Sequence, residues 1–518
     1  MKDSVGRAEG GFIKGAISLS LAALLVKVLG VAYKIPLSHL LGDDGMGFFN
    51  TAYTVYTFFF LICSAGVPKA IALLISECNA GKGNSESSIL KNAKRIFLVI
   101  SLALSVVFAA SALPISDFIG SKKSALAMLA IAPSIPFISL AAVYRGYLTG
   151  KKRFGTVAVS QLIEAAMKLV LGLAFAQLAL RLDASKEWIA AAAIFGISVG
   201  SIATLAHLKI ATYDRKTREI SRQKCKFEPS IMRKILKISV PITLSSGVIS
   251  LVNVIDLTVI MRGLEKQGYT DDLSTMLYGN YTTLAVPMFN FVLSVISSVC
   301  ISSLPLLSEL AARKREADFD KTLSDAAELV GFLALPSTLV FMTLPNEVLT
   351  ILFDRGSVAL GSALLSLLAP SVALIAFLTV MNTALEARGG YMTPLVSMSI
   401  GGAVKLLSSS LLVGQTELAI WGAPLGTAIS YIASIFVSVV LYRKSGMRVI
   451  KLLRGFILSA ICSIVASVPV IALRSACFVG VAAPLQSLLL LMIYALTYLL
   501  LSFFCGTLPI KRLKYMAK

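Results

Sequence analysis

Long apolar runs alternate with short polar segments from one end of the chain to the other. A helix needs roughly 20 apolar residues to cross the ~30 Å hydrocarbon core of a bilayer. We predict fourteen such spans, at residues 13–33, 47–76, 95–114, 124–148, 156–180, 188–210, 234–261, 275–307, 326–344, 360–385, 393–413, 418–441, 452–473 and 484–507. The pattern therefore predicts an all-α polytopic membrane protein.

The basic residues orient these spans. The chain carries 48 lysines and arginines and a net charge of +21, and such residues are enriched in the cytoplasmic loops of membrane proteins. With the N-terminus inside, 33 of the 48 fall in inside segments, 9 in outside segments and 6 within spans. We predict a multi-pass membrane protein with both termini cytoplasmic. Its positive charge then serves topology and contacts with membrane lipids, with no role in nucleic-acid binding.

A motif of the first half of the chain recurs in the second half. The two copies read Ala132-Pro133-Ser134 and Ala369-Pro370-Ser371, and the same offset aligns Lys168 with Lys405. The glycine pair 196/200 of span six has a counterpart at 422/426 in span twelve, and both pairs suit close helix packing. We predict two six-helix lobes as parallel repeats, which is a transporter plan.

The repeat sets the predicted domains. They are an N-lobe at 1–211, a basic cytoplasmic linker at 212–233, a C-lobe at 234–445, and two further spans with a basic tail at 446–518. Because the repeat already supplies a two-fold unit, we expect a monomer.

Few ionisable residues lie deep within the predicted spans, where charge is costly and marks function. Lys27 lies in span 1 and is expected to line a polar cavity or to snorkel toward the interface near Lys34. Glu164 and Lys168 lie four residues apart in span 5, with Gln161 one turn before Glu164. They form either a helical ion pair or part of a cavity.

Three more charged residues have a structural and a functional interpretation. Asp256 in span 7 and Lys405 in span 11 form either a buried pair or an ion site. Arg145, near a cytoplasmic helix end, is either a topology signal or a substrate contact.

The sequence lacks the residue patterns of several classes of catalytic and metal-binding site. His39 and His207 stand apart, and the seven cysteines have no metal-like spacing. A phosphate-binding glycine loop and a nucleophile–base arrangement are also missing. We therefore expect no cofactor, no metal and no enzymatic activity, and an ion gradient (Na⁺ or H⁺) or the membrane potential as the driving force.

Specific motifs resemble a known family. They include the run Lys27-Val28-Leu29-Gly30-Val31-Ala32-Tyr33-Lys34-Ile35-Pro36-Leu37, then Ser64-Ala65-Gly66-Val67-Pro68, Tyr144-Arg145-Gly146-Tyr147 and Ser160-Gln161-Leu162-Ile163-Glu164. The chain resembles the stage V sporulation protein B group, close to the MurJ-type lipid II flippases, in the multidrug/oligosaccharidyl-lipid/polysaccharide (MOP) exporter superfamily. The resemblance covers essentially the whole chain.

The resemblance implies that the protein moves an undecaprenyl-pyrophosphate-linked saccharide from the inner to the outer leaflet by alternating access. Lys27 occupies the place of a cavity arginine. A second such arginine falls at Tyr33, so its charge is missing or displaced to Lys34, and a third falls near Thr282. The predicted substrate contacts are therefore Lys27, Tyr33, Lys34, Arg145, Gln161, Glu164 and Lys168. Asp256 matches a sodium-site aspartate, for which Lys405 supplies a built-in cation.

Two other functions stay open at the level of sequence. A drug/cation antiporter of the same superfamily needs an acid in the first lobe, and Glu164 is the candidate. A non-transporting scaffold in cell-wall or spore-cortex synthesis is the second alternative.

Overall fold

A computed structural model describes residues 2–79, 85–212, 228–353, 358–390, 392–415, 417–444, 449–476 and 483–507. These residues are almost entirely helical and contain no strand. The prediction of an all-α protein is confirmed. Most of the predicted basic linker and the C-terminal tail after residue 507 lie outside the described residues.

Two compact units divide the chain. Unit 1 comprises 1–261 and 270–279, and unit 2 comprises 262–269 and 280–518. The first helices are α1 (Lys2–Ser64), α2 (Val67–Asn79), α3 (Glu86–Ile119), α4 (Ala125–Ile131), α5 (Ser134–Gly150), α6 (Phe154–Arg181), α7 (Lys186–Ala211), α8 (Pro229–Lys266) and α9 (Asp271–Asn280). Most of α8 thus belongs to unit 1, and the predicted lobe boundaries stay a prediction.

A π-helical turn, Tyr281–Ala285, leads from α9 into the helices of unit 2. These are α10 (Val286–Ala312), α11 (Glu316–Thr343), α12 (Pro345–Leu352), α13 (Val358–Leu368), α14 (Pro370–Ala387), α15 (Met392–Gly414), α16 (Gly422–Lys444), α17 (Val449–Ala476) and α18 (Ala483–Phe504).

Each unit has a buried apolar core. In unit 1, Ile71 of α2 and Phe97 of α3 pack with Ile235 of α8, which explains why the start of α8 clusters there. In unit 2, Tyr494 and Tyr498 of α18 pack on α17 and α11. The Tyr498 hydroxyl donates to the carbonyl of Phe332 at 2.9 Å, so even the buried phenol has a partner.

Large apolar side chains cover the outer faces of many helices. Val106 of α3 is 68% exposed and Phe504 of α18 is 81% exposed. A soluble protein would bury such residues, whereas a helix in a bilayer presents them to lipid. The chain is therefore a multi-pass membrane protein.

The number of spans differs from the predicted fourteen. Among the described residues, eleven segments are long and apolar enough to cross a membrane, or twelve if the bent pair 122–131 and 134–150 forms one span. The end of the first predicted span and the whole of the second fall in one 54-residue segment, Leu25–Cys78, and the seventh lies in α8, which is not among the eleven. A helix of 54 residues would measure about 80 Å, more than twice the bilayer core. Fourteen spans stay a prediction.

Glycines allow close packing of helices in both units. A Cβ on Gly196 of α7 would lie 2.6 Å from Gly172 Cα of α6, and one on Gly422 of α16 would lie 2.7 Å from the Leu412 carbonyl carbon of α15. The predicted role of these glycines in close helix packing is confirmed. Their equivalent use in spans six and twelve agrees with the predicted repeat.

We expect Gly196→Val to destabilise unit 1 by about 2–4 kcal/mol, because the new side chain meets backbone that cannot move aside. The measurement is the thermal unfolding midpoint of the purified protein in detergent. Gly155→Ala is the matched control, since a Cβ at Gly155 of α6 meets nothing within 4 Å. Equal midpoints for the two variants would contradict the packing argument.

Candidate functional site

The first helix is broken at Gly42, and residues on the two sides of the break meet. Gly42 has φ 72° and ψ 179°, a conformation that residues with a Cβ avoid. The Lys34 ammonium donates to Asn50 Oδ1 at 3.4 Å. Sixteen residues of straight helix would separate the two by about 24 Å. The break at Gly42 therefore creates this contact, and it divides α1 into a first arm before Gly42 and a second arm after it.

Aromatic rings from both arms pack against one another. Tyr33 of the first arm is 2% exposed and its ring meets Phe49 of the second arm edge-on at 6.2 Å. Phe49 stacks on Tyr53 one turn later, with centroids 6.1 Å apart. The Tyr33 ring rests against α6 at Gly172, where a Cβ would lie 3.0 Å from the ring. A glycine at this position lets the ring approach α6.

The ammonium group of Lys168 lies over these rings. Its Nζ is 4.4 Å from the centroid of Tyr53 and 5.4 Å from that of Tyr33. An ammonium over an aromatic face is attracted by the ring quadrupole, by about 2 kcal/mol where it is desolvated. Lys168 also acts electrostatically on Lys34. We call Tyr33, Lys34, Asn50, Tyr53 and Lys168 the cation–aromatic cluster.

Arg145 and Glu164 form a second charged contact. Arg145 of α5 and Glu164 of α6 are 2.6 Å apart, with side chains 15% and 30% exposed. The guanidinium also donates to the hydroxyl of Ser160 at 3.0 Å and to its carbonyl at 3.3 Å. The planar fork of arginine suits such multiple acceptors, so Arg145 competes better for Glu164 than a lysine does. The expected helical pair between Glu164 and Lys168 is accordingly replaced by Arg145–Glu164.

The predicted site residues thus fall into groups. Tyr33, Lys34 and Lys168 come together in the cation–aromatic cluster, whereas Arg145 and Glu164 pair with each other. Lys27 lies exposed on the first arm, two turns before Lys34, and Gln161 is half-buried on α6.

The second predicted pair falls on separate units. Asp256 is buried in α8 of unit 1, and Lys405 is half-buried in α15 of unit 2. Their pairing stays a prediction, as do the roles of all these residues.

Sequence reasoning missed Asn50 and Tyr53. The search followed ionisable residues, and both are uncharged within an apolar run. A usable signal was present, since residues 49, 53, 56 and 60 place aromatic rings on one helix face at helical spacing. In the described part of the chain, no group of three His, Cys, Asp or Glu side chains could hold a metal ion.

Known proteins resemble this chain in sequence and in fold. A model of the polysaccharide biosynthesis protein family matches residues 12–311. Stage V sporulation protein B of Bacillus subtilis (strain 168) is 24% identical over 423 residues, which are 81% of each chain. Lipid II flippase MurJ of the same organism is 23% identical over 458 residues, covering 83% of this chain and 82% of its own.

Two solved structures have the same fold. Lipid II flippase MurJ in an inward closed conformation superposes with a TM-score of 0.71 at 18% identity, covering 94% of this chain and 98% of its own. An inward-facing MATE multidrug resistance transporter of the MOP superfamily gives 0.65 at 13% identity, covering 85% and 99%. The predicted resemblance to MurJ-like members of that superfamily is confirmed.

We expect Arg145 and Glu164 to be strongly coupled. If either side chain is removed, the other is left as an unpaired charge in a partly buried place. A double-mutant cycle of Arg145→Ala and Glu164→Ala should give a coupling energy of about 1–3 kcal/mol. The measurement is the free energy of unfolding in a denaturing detergent titration.

The matched control for this cycle is Arg313–Glu309, an ion pair of 2.7 Å with both side chains more than half exposed. Its coupling should stay below about 0.5 kcal/mol. Equal coupling in the two cycles would show that burial adds nothing at Arg145.

Proposed function

We propose that this chain, which belongs to the polysaccharide biosynthesis protein family, is a flippase for a lipid-linked saccharide. Its substrate is a saccharide joined through pyrophosphate to undecaprenol, and it moves from the inner to the outer leaflet of the bacterial cytoplasmic membrane. The observation that carries the proposal is the cation–aromatic cluster of unit 1, where Lys168 lies over two tyrosine rings and Lys34 donates to Asn50 within a helical membrane protein.

The chemistry of pyrophosphate fits that cluster. Lys34 and Lys168 repel each other, so an anion placed between them relieves the repulsion and gains two charge-assisted hydrogen bonds. Asn50 accepts a hydrogen bond from Lys34, and Lys168 lies over the rings of Tyr33 and Tyr53. An amide and aromatic faces hold an ammonium group without neutralising it, which suits a site for an anion.

Arg145 contributes differently. Its charge is already balanced by Glu164, so we assign it to positioning α6, the helix that carries Lys168. The same pairing weighs against the drug/cation antiporter, since Glu164 is the acid on which that alternative depends. Lys27, exposed on the first arm, is proposed as an earlier contact for the same anion.

The lipid tail needs an apolar surface beside the anion path. Helices α17 and α18 present large apolar side chains, among them Ile461 at 51% and Leu500 at 58% exposure. The charged Arg474 at the end of α17 pairs at 2.8 Å with the largely buried Glu347 of α12. We propose that the polyprenyl chain stays in the membrane against these two helices, with the protein acting as a monomer.

We expect Lys168→Ala and Lys34→Ala each to lower flipping by roughly tenfold, because a charge-assisted hydrogen bond is worth about 1.5–3 kcal/mol. The measurement is the rate at which reconstituted vesicles move fluorescent lipid II, and other pyrophosphate-linked lipids, to the outer leaflet. Lys168→Arg keeps the charge and should keep most of the rate.

The control for this assay is Lys321→Ala, an exposed lysine on α11. This variant should move the lipid to the outer leaflet at the parental rate. Full activity in both Lys34→Ala and Lys168→Ala, with the proteins folded and inserted, would refute the assignment. Failure of the parent to flip any pyrophosphate-linked lipid would favour the non-transporting scaffold.

The driving force is the second part of the proposal. An inside-negative membrane potential favours outward movement of an anion by ~2.3 kcal/mol per charge per 100 mV, or about 4–5 kcal/mol for two charges. We further propose that Lys405 serves Asp256 as a built-in cation, so that flipping needs no sodium ion.

We expect Lys405→Ala to make flipping depend on Na⁺, because the buried Asp256 carboxylate would need another cation. The parent, Lys405→Arg and the double variant Asp256→Asn/Lys405→Ala should flip equally in sodium and in choline buffer. The measurement is the flipping rate in the two buffers at a fixed membrane potential. Sodium dependence of the parent would overturn the built-in cation.

A further inference from the structure

The last turn of α18 ends in a glycine that reverses the chain. Gly506 has φ 69°, and its N–H donates to the Phe503 carbonyl at 3.2 Å. The Thr507 N–H reaches back to the Ser502 carbonyl at 2.9 Å. These two hydrogen bonds close a helix C-terminus in the Schellman geometry, in which a glycine takes the left-handed conformation. Cys505 lies just before this glycine, so its backbone has a defined position at the end of α18.

This turn brings Cys505 into contact with a second cysteine. The thiol of Cys462 on α17 has the thiol of Cys505 and the hydroxyl of Thr507 as hydrogen-bond partners. Cys462 is 2% exposed and packs in the buried cluster that contains Tyr494 and Tyr498. Cys505 is exposed. One sulfur is therefore held in the protein interior, and the other lies beside it within reach of small molecules.

Other cysteines have different surroundings. Cys300 of α10 is also buried, but its thiol contacts the hydroxyl of Thr383. Cys63 of α1 is buried in unit 1. A disulfide needs two cysteines that lie side by side in the fold. Among the cysteines that the structure describes, Cys462 and Cys505 are the two whose thiols meet.

We propose that Cys462 and Cys505 are a thiol pair that a peroxide converts into a disulfide between α17 and the end of α18. The exposed Cys505 thiolate attacks hydrogen peroxide, which breaks the O–O bond and leaves a sulfenic acid. The Cys462 sulfur then attacks the Cys505 sulfur, and the sulfenic oxygen leaves as water with the Cys462 proton. Two thiols and one hydrogen peroxide thus give one disulfide and two waters. A dithiol reductant reverses the reaction.

The predicted topology places the end of α18 on the cytoplasmic side. Thiols are kept reduced there, and the disulfides that do form are usually transient and catalytic or redox-sensing. The pair is therefore reduced at rest and oxidised when peroxide accumulates. Oxidation ties together the two helices that the proposed function sets beside the polyprenyl chain, and the bond itself does not depend on that function.

The test treats the full-length protein, purified in detergent, with hydrogen peroxide. Remaining thiols are alkylated, and the digested peptides are analysed by mass spectrometry with and without dithiothreitol. Peroxide should raise the Cys462–Cys505 crosslink about tenfold over the untreated protein, and dithiothreitol should remove it. Two intact thiols under conditions that oxidise free glutathione, or a crosslink of Cys505 to another cysteine, would overturn the proposal.

Two single substitutions assign the two steps. Cys462→Ser should leave the sulfenic acid at Cys505, where dimedone traps it, since the second thiol is missing. Cys505→Ser should leave the Cys462 thiol unmodified, because that thiol is buried. Cys63→Ser is the matched control, since Cys63 is a buried cysteine of unit 1, and this variant should form the crosslink as fast as the parent.

Hydrogen exchange provides a second measurement that needs no substitution. A disulfide suppresses opening of the turn that carries it, so the amides of Cys505, Gly506 and Thr507 should exchange about tenfold more slowly after oxidation. Equal or faster exchange after both thiols are consumed would also rule out the crosslink. Neither measurement involves transport. A crosslink in a protein that fails to flip any lipid therefore refutes the proposed function and retains the thiol pair.

Discussion

The cost of placing charge in an apolar environment governs this structure. A helix in a bilayer has no water to solvate an ammonium or a carboxylate, so each such group must find a partner within the protein. Arg145 finds Glu164, Arg474 finds Glu347, and Lys168 finds two aromatic faces. These partners differ in whether they neutralise the charge. A carboxylate cancels the charge, whereas an aromatic ring or an amide stabilises it without cancelling it. The second kind of partner holds the Lys168 ammonium without neutralising it.

The break in α1 is what allows this arrangement. Lys34 and Asn50 belong to one helix and could not meet if it were straight. Gly42 takes a backbone conformation that a residue with a Cβ resists, and Pro36 removes one helical hydrogen bond a turn and a half earlier. The second arm then presents Phe49 and Tyr53 toward the first arm and α6. The contact between Lys34 and Asn50 therefore depends on the backbone conformation at Gly42.

Much of the fold and part of the site were predictable. The helical segments and the glycine contacts of α6–α7 and α15–α16 follow from patterns in the sequence. The sequence also singled out Tyr33 and Lys34 through the motif around Lys27, and Lys168 as a charged residue within a predicted span. It missed Asn50 and Tyr53, because an uncharged residue in an apolar run looks like core. The expected Glu164–Lys168 pair was plausible by helical spacing alone, and Arg145 displaced it with three hydrogen bonds from a neighbouring helix.

The sequence by itself determined that the chain is helical, crosses a membrane many times and resembles the proteins of its family. Hydropathy, basic-residue distribution and family motifs are local properties, readable without coordinates. Only the tertiary structure decided which charged groups meet which partners. That choice depends on distances between helices far apart in sequence, such as the 19 residues from Arg145 to Glu164 or the 115 from Tyr53 to Lys168. Spacing within one helix encodes none of these distances.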